Sequence, residues 1–245
     1  MCGRFVATTA PQQLALLFHA ELDGVNPDQF PPNYNVAPTT QILHVVDVSL
    51  GDPSQDADQE VRGRVVRSAH WGLLPAWSKD RNRASSMINA RSETLTTKPS
   101  FKSLLKHHRC VVPVDGYYEW RTIGVGTKIK QPKQPYYIRS ADRRPLSLAG
   151  LWTTWRDPER GGAIVTSCCL ITTEPNQQLA GIHDRMPCLL DGDDIEQWLS
   201  GSEPPLHLLR PSEDDRLVAV TVSTAVNNVR NKGAGLVEPT VTTLF

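Results

Sequence analysis

The chain has 245 residues, which is enough for one large domain or two small ones. Hydrophobic residues make up 39% and charged residues 21%, as in an ordinary globular protein, and the formal net charge is zero. No run approaches the ~20 apolar residues that span a bilayer, and no basic-then-apolar signal segment opens the sequence, so we expect a cytoplasmic protein without a membrane partner.

The first half of the chain predicts one short helix and one hairpin. In "TTAPQQLALLFHA", Pro11 suits a first helical turn, Thr8 or Thr9 can cap it, and the apolar residues share a face. After a proline-rich loop, "QILHVVDV" and "RVVRSAHWGLL" predict two strands, which the acidic turn segment "GDPSQDADQEVRG" joins into a hairpin with a long tip.

The second half of the chain predicts strands with a few short helices. "SFKSLLKHHR" predicts a helix that leads into "CVVPVDGYYEW", a strand too apolar for the surface. Further strands are predicted at "YYIRS", "LSLAGLWTTW", "AIVTSCCLITT" and "RLVAVTVST", and short helices at "PNQQLAGIH" and "DDIEQWLS". Because strands dominate without βαβ alternation, we predict one α+β domain around a curved, largely antiparallel, barrel-like sheet. We expect it to span residues 1–230, followed by a short C-terminal tail at 231–245.

Charge is distributed unevenly along the chain. From Lys79 to Arg109 there are eight Lys and Arg residues against two acidic ones, whereas residues 191–215 hold eight acidic residues and one basic. A concentrated basic segment suits a phosphate backbone. Two differently charged solvated faces would give the same pattern.

Five cysteines, an odd number without C-x-x-C spacing, argue against a disulfide framework and a zinc site. Four of them, Cys110, Cys168, Cys169 and Cys188, lie in or beside apolar runs and are expected to be buried packing residues. We therefore expect neither a metal nor another cofactor.

Cys2 is different because removal of Met1 would make it the N-terminal residue. It would then carry a thiol and an α-amine on adjacent carbons, both partly deprotonated near neutral pH, and the nearby Arg4 would lower the thiol pKa further. Such an aminothiol can attack an acyl carbon with its own amine as base, or condense with an aldehyde to a thiazolidine. The residue type alone leaves both reactions open, together with an inert packing role.

Three polar clusters accompany Cys2. In "INARSET", an extended backbone would direct Asn89, Arg91 and Glu93 to one side, whereas a helix would turn Arg91 away. Glu119 follows a buried apolar run beside aromatic residues, which favours a raised pKa and acid–base chemistry. His183 in "GIHDRMP" could shuttle protons beside Asp184 and Arg185. Ion pairs or a loop hydrogen bond are the structural alternatives.

Aromatic residues lie in and beside the basic segment. "HWGLLPAWSKDRNR" brings Trp71 and Trp77 close to its cations, and "FPPNYNVAP" holds Pro38 in a rigid loop. Aromatic faces beside cations stack unpaired bases, and prolines can wedge a duplex open, although tryptophans are also common in cores.

Eight segments in order resemble the SRAP family, the SOS response-associated peptidases. They cover nearly the whole chain and are "MCGRF", "YNVAPT", "WGLLPAW", "INARSET", "RCVVPVDGYYEW", "LAGLW", "CCLITTEPN" and "IHDRMP". The resemblance implies covalent protection of abasic sites in single-stranded DNA, especially near single/double-strand junctions, by a monomer. It implies a thiazolidine crosslink between the processed Cys2 and the ring-opened abasic sugar, with possible autoproteolytic or crosslink-reversal activity.

The resemblance also implies roles for individual residues. Cys2 is the nucleophile, Asn89 holds the N-terminal region and the sugar, Glu119 exchanges protons, and His183 assists opening of the sugar ring or release of the crosslink. The residues implied in DNA binding are Arg4, Pro38, Trp71, Trp77, Arg91 and Arg185. Two other functions stay open: a thiol peptidase or N-terminal nucleophile amidohydrolase, and a non-catalytic single-strand binding module.

Overall fold

The computed structural model describes residues 2–49, 62–124, 131–200 and 203–240. Strands in these ranges are β1 (Phe5–Ala7), β2 (Glu21–Leu22), β3 (Asn33–Val36), β4 (Gln41–Ser49), β5 (Arg62–Trp71), β6 (Asn89–Arg91), β7 (Arg109–Val114), β8 (Gly116–Thr122), β9 (Lys133–Ser140), β10 (Leu146–Asp157), β11 (Ala163–Thr173), β12 (Met186–Pro187), β13 (Leu189–Leu190) and β14 (Leu217–Thr221). The α-helices are α1 (Pro11–Leu17), α2 (Pro99–Lys102), α3 (Leu104–His107), α4 (Gln177–Ala180) and α5 (Asp193–Ser200). Single turns of 3₁₀ helix connect several of them, among them Arg81–Ser86, Ser92–Thr94, Thr224–Asn227 and Ala234–Leu236.

Two sheets form the molecule. The larger has nine strands, and its strands β11, β10, β7, β4 and β5 close on themselves through a pairing of β11 with β5. The smaller has five strands in the order β14-β9-β8-β1-β3. All pairings are antiparallel except those of β5 with β2 and of β11 with β5 and β6. The predicted α+β domain with a curved, largely antiparallel, barrel-like sheet is confirmed.

The hairpin of β4 and β5 is confirmed, in register from Gln41 opposite His70 to Ser49 opposite Arg62. Of its predicted tip, 51–63, residues 51–61 lie outside the described residues, and the last two belong to β5. Residues 125–130 of the predicted basic connection also lie outside the described residues. One predicted strand, "CVVPVDGYYEW", proves to be two: β7 belongs to the large sheet and β8 to the small one. The chain changes sheet at Gly116, where a Cβ would lie 2.5 Å from the Tyr137 ring.

The predicted helix at "DDIEQWLS" is confirmed as α5, whereas the other helices are shorter than the sequence predicts. Thr8 and Thr9 do not cap α1, because both side chains bond the Asp115 carboxylate, at 2.9 Å for Thr8 Oγ1. The N-cap is Ala10, whose N–H donates to Gln13 Oε1. The predicted "SFKSLLKHHR" helix is divided into α2 and α3. Within the described part of the chain, no helix has both the length and the apolar character needed to cross a membrane.

Two large hydrophobic clusters pack on the sheets. One joins alternate barrel residues such as Val45 and Val111 to the helices, through Leu14, Leu105 and Trp198. The other joins the barrel residues that point to the opposite face of the same strands to the small sheet, and it includes Cys2. Its members include Cys2, Phe5, Val46, Trp71, Val112, Tyr117, Ile138 and Leu170. The N-terminal segment is therefore built into the core between the two sheets.

Candidate active site

Cys2 lies fully buried at the start of the segment that leads into β1. Its backbone carbonyl accepts a 2.8 Å hydrogen bond from Asn89 Nδ2, so β6 holds the N-terminal segment in place. Burial, reinforced by the negative charge of Glu119, raises the pKa of the Cys2 thiol well above its ordinary value. Arg4 does lower this pKa as expected, through a hydrogen bond with its backbone, but burial outweighs that contribution. The resting sulfur is a thiol, and it needs a base.

Glu119 supplies a carboxylate beside Cys2. Alternation along β8 directs Tyr117 and Glu119 to the same side of the small sheet, and both are buried. Burial raises the pKa of the Glu119 carboxyl to about 7. At neutral pH this group both accepts and donates protons, which is the property the sequence predicts for it.

His183 follows α4 in a tight turn and faces Glu119 from the neighbouring loop. Its Nε2 lies 3.7 Å from Glu119 Oε2. Its Nδ1 accepts the backbone N–H of Arg185 at 3.0 Å and lies 2.8 Å from Asp184 Oδ1. Burial lowers the pKa of His183, so the neutral ring is favoured. The Arg185 N–H can donate to Nδ1 in the neutral ring, and the Asp184 carboxylate can accept from Nδ1–H in the charged ring. The loop therefore offers a hydrogen-bond partner to His183 in both protonation states.

The polar residues of "INARSET" separate into two groups. β6 is extended only to Arg91 and pairs in parallel with β11, which directs Asn89 towards Cys2 and leaves Arg91 exposed. Glu93 lies in the following 3₁₀ turn and binds Arg185 through two hydrogen bonds of 2.6 and 3.0 Å. The Arg185 guanidinium also donates to the Thr172 carbonyl at 2.5 Å. Arg185 is therefore held at the rim beside the His183 loop, already paired with a carboxylate.

Arg4 is tied to the C-terminal part of the chain. Its guanidinium donates to Asn35 Oδ1 at 2.7 Å and to the Val226 carbonyl at 3.0 Å. Asn35 is itself buried and donates to the carbonyls of Val226, Asn228 and Asn231. The segment after residue 230 also packs on the small sheet, since Leu236 is buried there. Arg4 thus fixes the strand that follows Cys2.

The two tryptophans of the aromatic stretch lie in different environments. Trp71 is fully buried, stacks against Phe5 at 4.7 Å and donates its Nε1–H to the Ile88 carbonyl. It offers no ring face to a base, so its predicted contact with DNA does not fit this position. Trp77 is 53% exposed, with the Arg83 guanidinium 4.8 Å above its ring. Such a pair is suited to stacking an unpaired base.

The basic segment is only partly available for a ligand. Arg109 is buried and donates to backbone carbonyls of Leu105, Lys106 and Trp198. Arg81 pairs with the buried Asp157 at 2.7 Å. Pro38 is half-buried in the loop before β4. Arg81 and Arg109 are therefore engaged within the protein, whereas the other six cations of the segment are exposed, namely Lys79, Arg83, Arg91, Lys98, Lys102 and Lys106.

The structure adds one residue that sequence reasoning named only as part of an aromatic run. Tyr117 is fully buried in the same cluster as Cys2, and its hydroxyl has no hydrogen-bond partner among the described residues. Nothing in the sequence signals an unpaired hydroxyl, because pairing depends on the surrounding fold. All five cysteines are buried free thiols. Within the described ranges, no group of three or more His, Cys, Asp or Glu residues could hold a metal ion.

The chain is similar to several known proteins over nearly its whole length. The chain is 35% identical over 243 residues to abasic site processing protein YoqW of Bacillus subtilis, covering 97% of this chain and 99% of that one. It is 34% identical over 267 residues to abasic site processing protein HMCES of Xenopus tropicalis, covering 94% and 76%. A solved Bacteroides thetaiotaomicron protein shares the fold, with a TM-score of 0.79 at 24% identity and coverage of 98% and 100%. Residues 1–229 match the model of the SOS response associated peptidases, and the chain therefore belongs to the SRAP family.

Proposed function

We propose that this protein processes abasic sites in single-stranded DNA by forming a covalent thiazolidine crosslink through Cys2. The observation that carries the proposal is the burial of Cys2 beside Glu119, with Asn89 holding its carbonyl at 2.8 Å. The relatives YoqW and HMCES, both named abasic site processing proteins, support the choice of substrate.

The chemistry begins with removal of Met1, which frees the Cys2 α-amine. The amine adds to the C1′ aldehyde of the ring-opened abasic sugar, and loss of water from the carbinolamine gives an imine. The Cys2 sulfur then adds to the same carbon, its proton leaves to a base, and the imine nitrogen takes up a proton. The net reaction joins an aldehyde and an aminothiol to a thiazolidine and releases one water.

Glu119 and His183 supply the proton transfers in this scheme. Because burial keeps the Cys2 sulfur protonated, sulfur addition needs a base within reach, and the Glu119 carboxylate has a pKa of about 7. The same carboxyl, once protonated, donates to the departing hydroxyl. His183, 3.7 Å from Glu119, relays protons to the sugar ring oxygen as the ring opens or as the crosslink reverses.

The DNA strand follows the rim of the site. Arg91 and Arg185 bind phosphates beside the His183 loop, with the strand competing with Glu93 for Arg185. Trp77 stacks an unpaired base, and Pro38 shapes the junction between paired and unpaired DNA. Arg4 acts by fixing the N-terminal strand. The protein acts as a monomer, in the cytoplasm.

The test is a denaturing gel of Met1-processed protein incubated with single-stranded DNA that carries one abasic site. We expect a retarded band that survives denaturant, requires the abasic site and does not need a reductant. Intact DNA of the same sequence is the substrate control, and mass spectrometry confirms that Met1 is absent.

Cys2→Ala is the matched variant, because it keeps the α-amine and loses only the sulfur. It should give a band only when borohydride reduces the imine, whereas the wild-type band forms without borohydride. A wild-type protein that gives no band, or a Cys2→Ala band as strong and as stable as the wild-type one, would overturn the thiazolidine. Turnover of a peptide or amide with indifference to abasic DNA would favour the amidohydrolase instead.

A further inference from the structure

An unpaired hydroxyl is buried in the hydrophobic cluster that contains Cys2. Tyr117 is completely buried, and its phenol oxygen has no hydrogen-bond partner among the residues that the structure describes. Buried hydroxyls in folded proteins are nearly always paired, because the loss of water is otherwise uncompensated. An exception therefore points to a partner that arrives from outside the chain.

The neighbouring strand residue shows what ordinary pairing would look like. Tyr118 lies on the opposite face of β8, and its hydroxyl donates to the Tyr34 carbonyl at 2.8 Å. Tyr137, on the adjacent strand β9, donates to the Asp115 carbonyl at 2.9 Å. Of these three buried tyrosines in the small sheet, Tyr117 is the one that lacks such a partner.

The position of Tyr117 relates the hydroxyl to the reacting groups. In the pairing of β8 with β1, Tyr117 lies opposite Phe5, and Phe5 is three residues after Cys2 in the chain. Tyr117 and Cys2 also belong to the same hydrophobic cluster. Burial raises the pKa of the Tyr117 phenol well above its ordinary value, and the electrostatic effects of Cys2 and Glu119 add to this shift. Tyr117 therefore keeps its proton and can act as a donor, not as a base.

A second buried polar atom without a partner belongs to the side chain that holds Cys2. Asn89 uses its Nδ2 to hold the Cys2 carbonyl, while its Oδ1 is buried and has no partner among the described residues. A donor at Tyr117 and an acceptor at Asn89 thus accompany the nucleophile. A small oxygen-bearing group, such as a sugar aldehyde and the hydroxyl that replaces it, matches this pair.

We propose that the Tyr117 hydroxyl donates a hydrogen bond to the C1′ oxygen of the abasic sugar during attack by the Cys2 amine. This inference rests on the proposed function and assigns a further catalytic residue to it. As the amine nitrogen bonds to C1′, the electron pair of the C=O bond moves to the oxygen, where the Tyr117 O–H stabilises it. The cationic amine nitrogen gives one proton to this oxygen, which becomes a hydroxyl. Glu119 then delivers a second proton, the C–O bond breaks, and water leaves as the protonated imine forms. Tyr117 retains its own proton throughout.

The experiment compares Tyr117→Phe with Tyr118→Phe, which remove single hydroxyls from adjacent residues of β8. Crosslinking rates are measured under single-turnover conditions on DNA with one abasic site, alongside the melting temperature and DNA affinity of each variant. Tyr117→Phe should slow crosslinking by about 10²-fold, with unchanged affinity and an equal or higher melting temperature. Tyr118→Phe should lower the melting temperature and leave the crosslinking rate near the wild-type value.

A second readout isolates the step. In a Cys2→Ala background the Tyr117→Phe change should also slow the borohydride-trapped imine, because the hydrogen bond acts before sulfur addition. Equal rates for Tyr117→Phe and wild type would overturn the role of Tyr117 while the wild-type crosslink stands. Absence of any wild-type crosslink would instead remove the proposed function itself. Equal slowing by both phenylalanine variants would reduce Tyr117 to a structural residue.

Discussion

Two regions of this molecule contain fully buried thiols, and they differ in the groups that act on those thiols. The terminal region comprises Cys2, Asn89, Tyr117, Glu119 and His183. The barrel region comprises Cys110, Cys168, Cys169 and His44, which lie on the strands of the nine-stranded sheet. Burial raises the pKa of the cysteine thiols in both regions.

What separates the regions is the presence of a proton acceptor. Cys2 has Glu119 beside it, whereas the groups acting on Cys110 are the two other thiols of the barrel region. Burial alone makes a thiol inert, and a carboxyl with a pKa near neutrality can restore its reactivity. Substitutions in the terminal region should therefore change chemistry, and substitutions in the barrel region should change stability.

Replacement of Glu119 tests the terminal region with the largest expected effect. Glu119→Gln removes the base and acid and should slow crosslinking by about 10²–10⁴-fold. In wild type Glu119 must be deprotonated to act as a base, so the crosslinking rate should fall as pH drops below about 7. This pH dependence of the rate should be absent in the variant. Single-turnover rates between pH 5.5 and 8.5 measure both.

Stability provides the control for Glu119→Gln. Because the pKa of Glu119 is raised in the folded state, its burial costs stability as pH rises from its ordinary range to about 7. At pH 8 the glutamine variant should therefore unfold at the same or a higher temperature. A variant that lost crosslinking together with its fold would not support the comparison.

His44 tests the barrel region through pH. Burial lowers the pKa of His44 to about 4, and the groups facing it are Arg67 from β5 and the rings of Trp152 and, beyond it, His108. The folded state favours the neutral ring. The contribution of His44 to the free energy of unfolding is therefore complete above pH ~6.5, and roughly 3 kcal/mol of it is lost as pH falls towards 4. Urea unfolding of wild type and His44→Leu at pH 7 and 4.5 measures this loss.

His44→Leu should flatten the acid side of the stability profile and leave the crosslinking rate at neutral pH unchanged. His207→Gln replaces an exposed histidine and serves as the control, with the wild-type profile expected. Identical acid sensitivity in wild type and His44→Leu would contradict the assignment.

Gly150 tests packing among the barrel thiols, with the smallest expected effect. A Cβ at this position would lie 2.9 Å from both the Cys110 sulfur and the Cys169 carbonyl oxygen. Gly150→Ala should cost about 1–3 kcal/mol of unfolding free energy and leave crosslinking per folded molecule unchanged. Gly233→Ala, where nothing lies within 4 Å of the new methyl group, is the matched control. Equal stabilities of the two variants would show that the barrel accommodates the methyl group.

Local patterns predicted much of the fold. Alternating apolar residues and turn composition predicted the β4–β5 hairpin, and a proline in a first turn predicted α1. The division of "CVVPVDGYYEW" into two sheets was missed, because both halves are equally apolar and only the close approach of Tyr137 to Gly116 distinguishes them. The prediction that Thr8 or Thr9 caps α1 was wrong for a similar reason, since the competing carboxylate of Asp115 is distant in sequence.

Prediction of the site shows the same limit. The types of Cys2, Glu119 and His183 indicated their chemistry, and the structure gathers them. Burial of Trp71 and the hydrogen bonds of Arg109 could not be predicted, because the residue type alone does not tell whether an aromatic or cationic side chain is buried or exposed. Whether the Tyr117 hydroxyl finds a hydrogen-bond partner depends on every residue around it in the fold.

The bonds from Arg4 and Asn35 to the carbonyls of residues 226–231 have a consequence for timing during synthesis. Arg4 and Val226 are 222 positions apart, so at ordinary translation rates roughly 10–40 s separate their appearance. Until the later segment emerges, these bonds cannot hold the first strand. The first residues of a growing chain therefore lack these anchoring hydrogen bonds until residues 226–231 have been made, and in that interval an aminopeptidase could reach Met1.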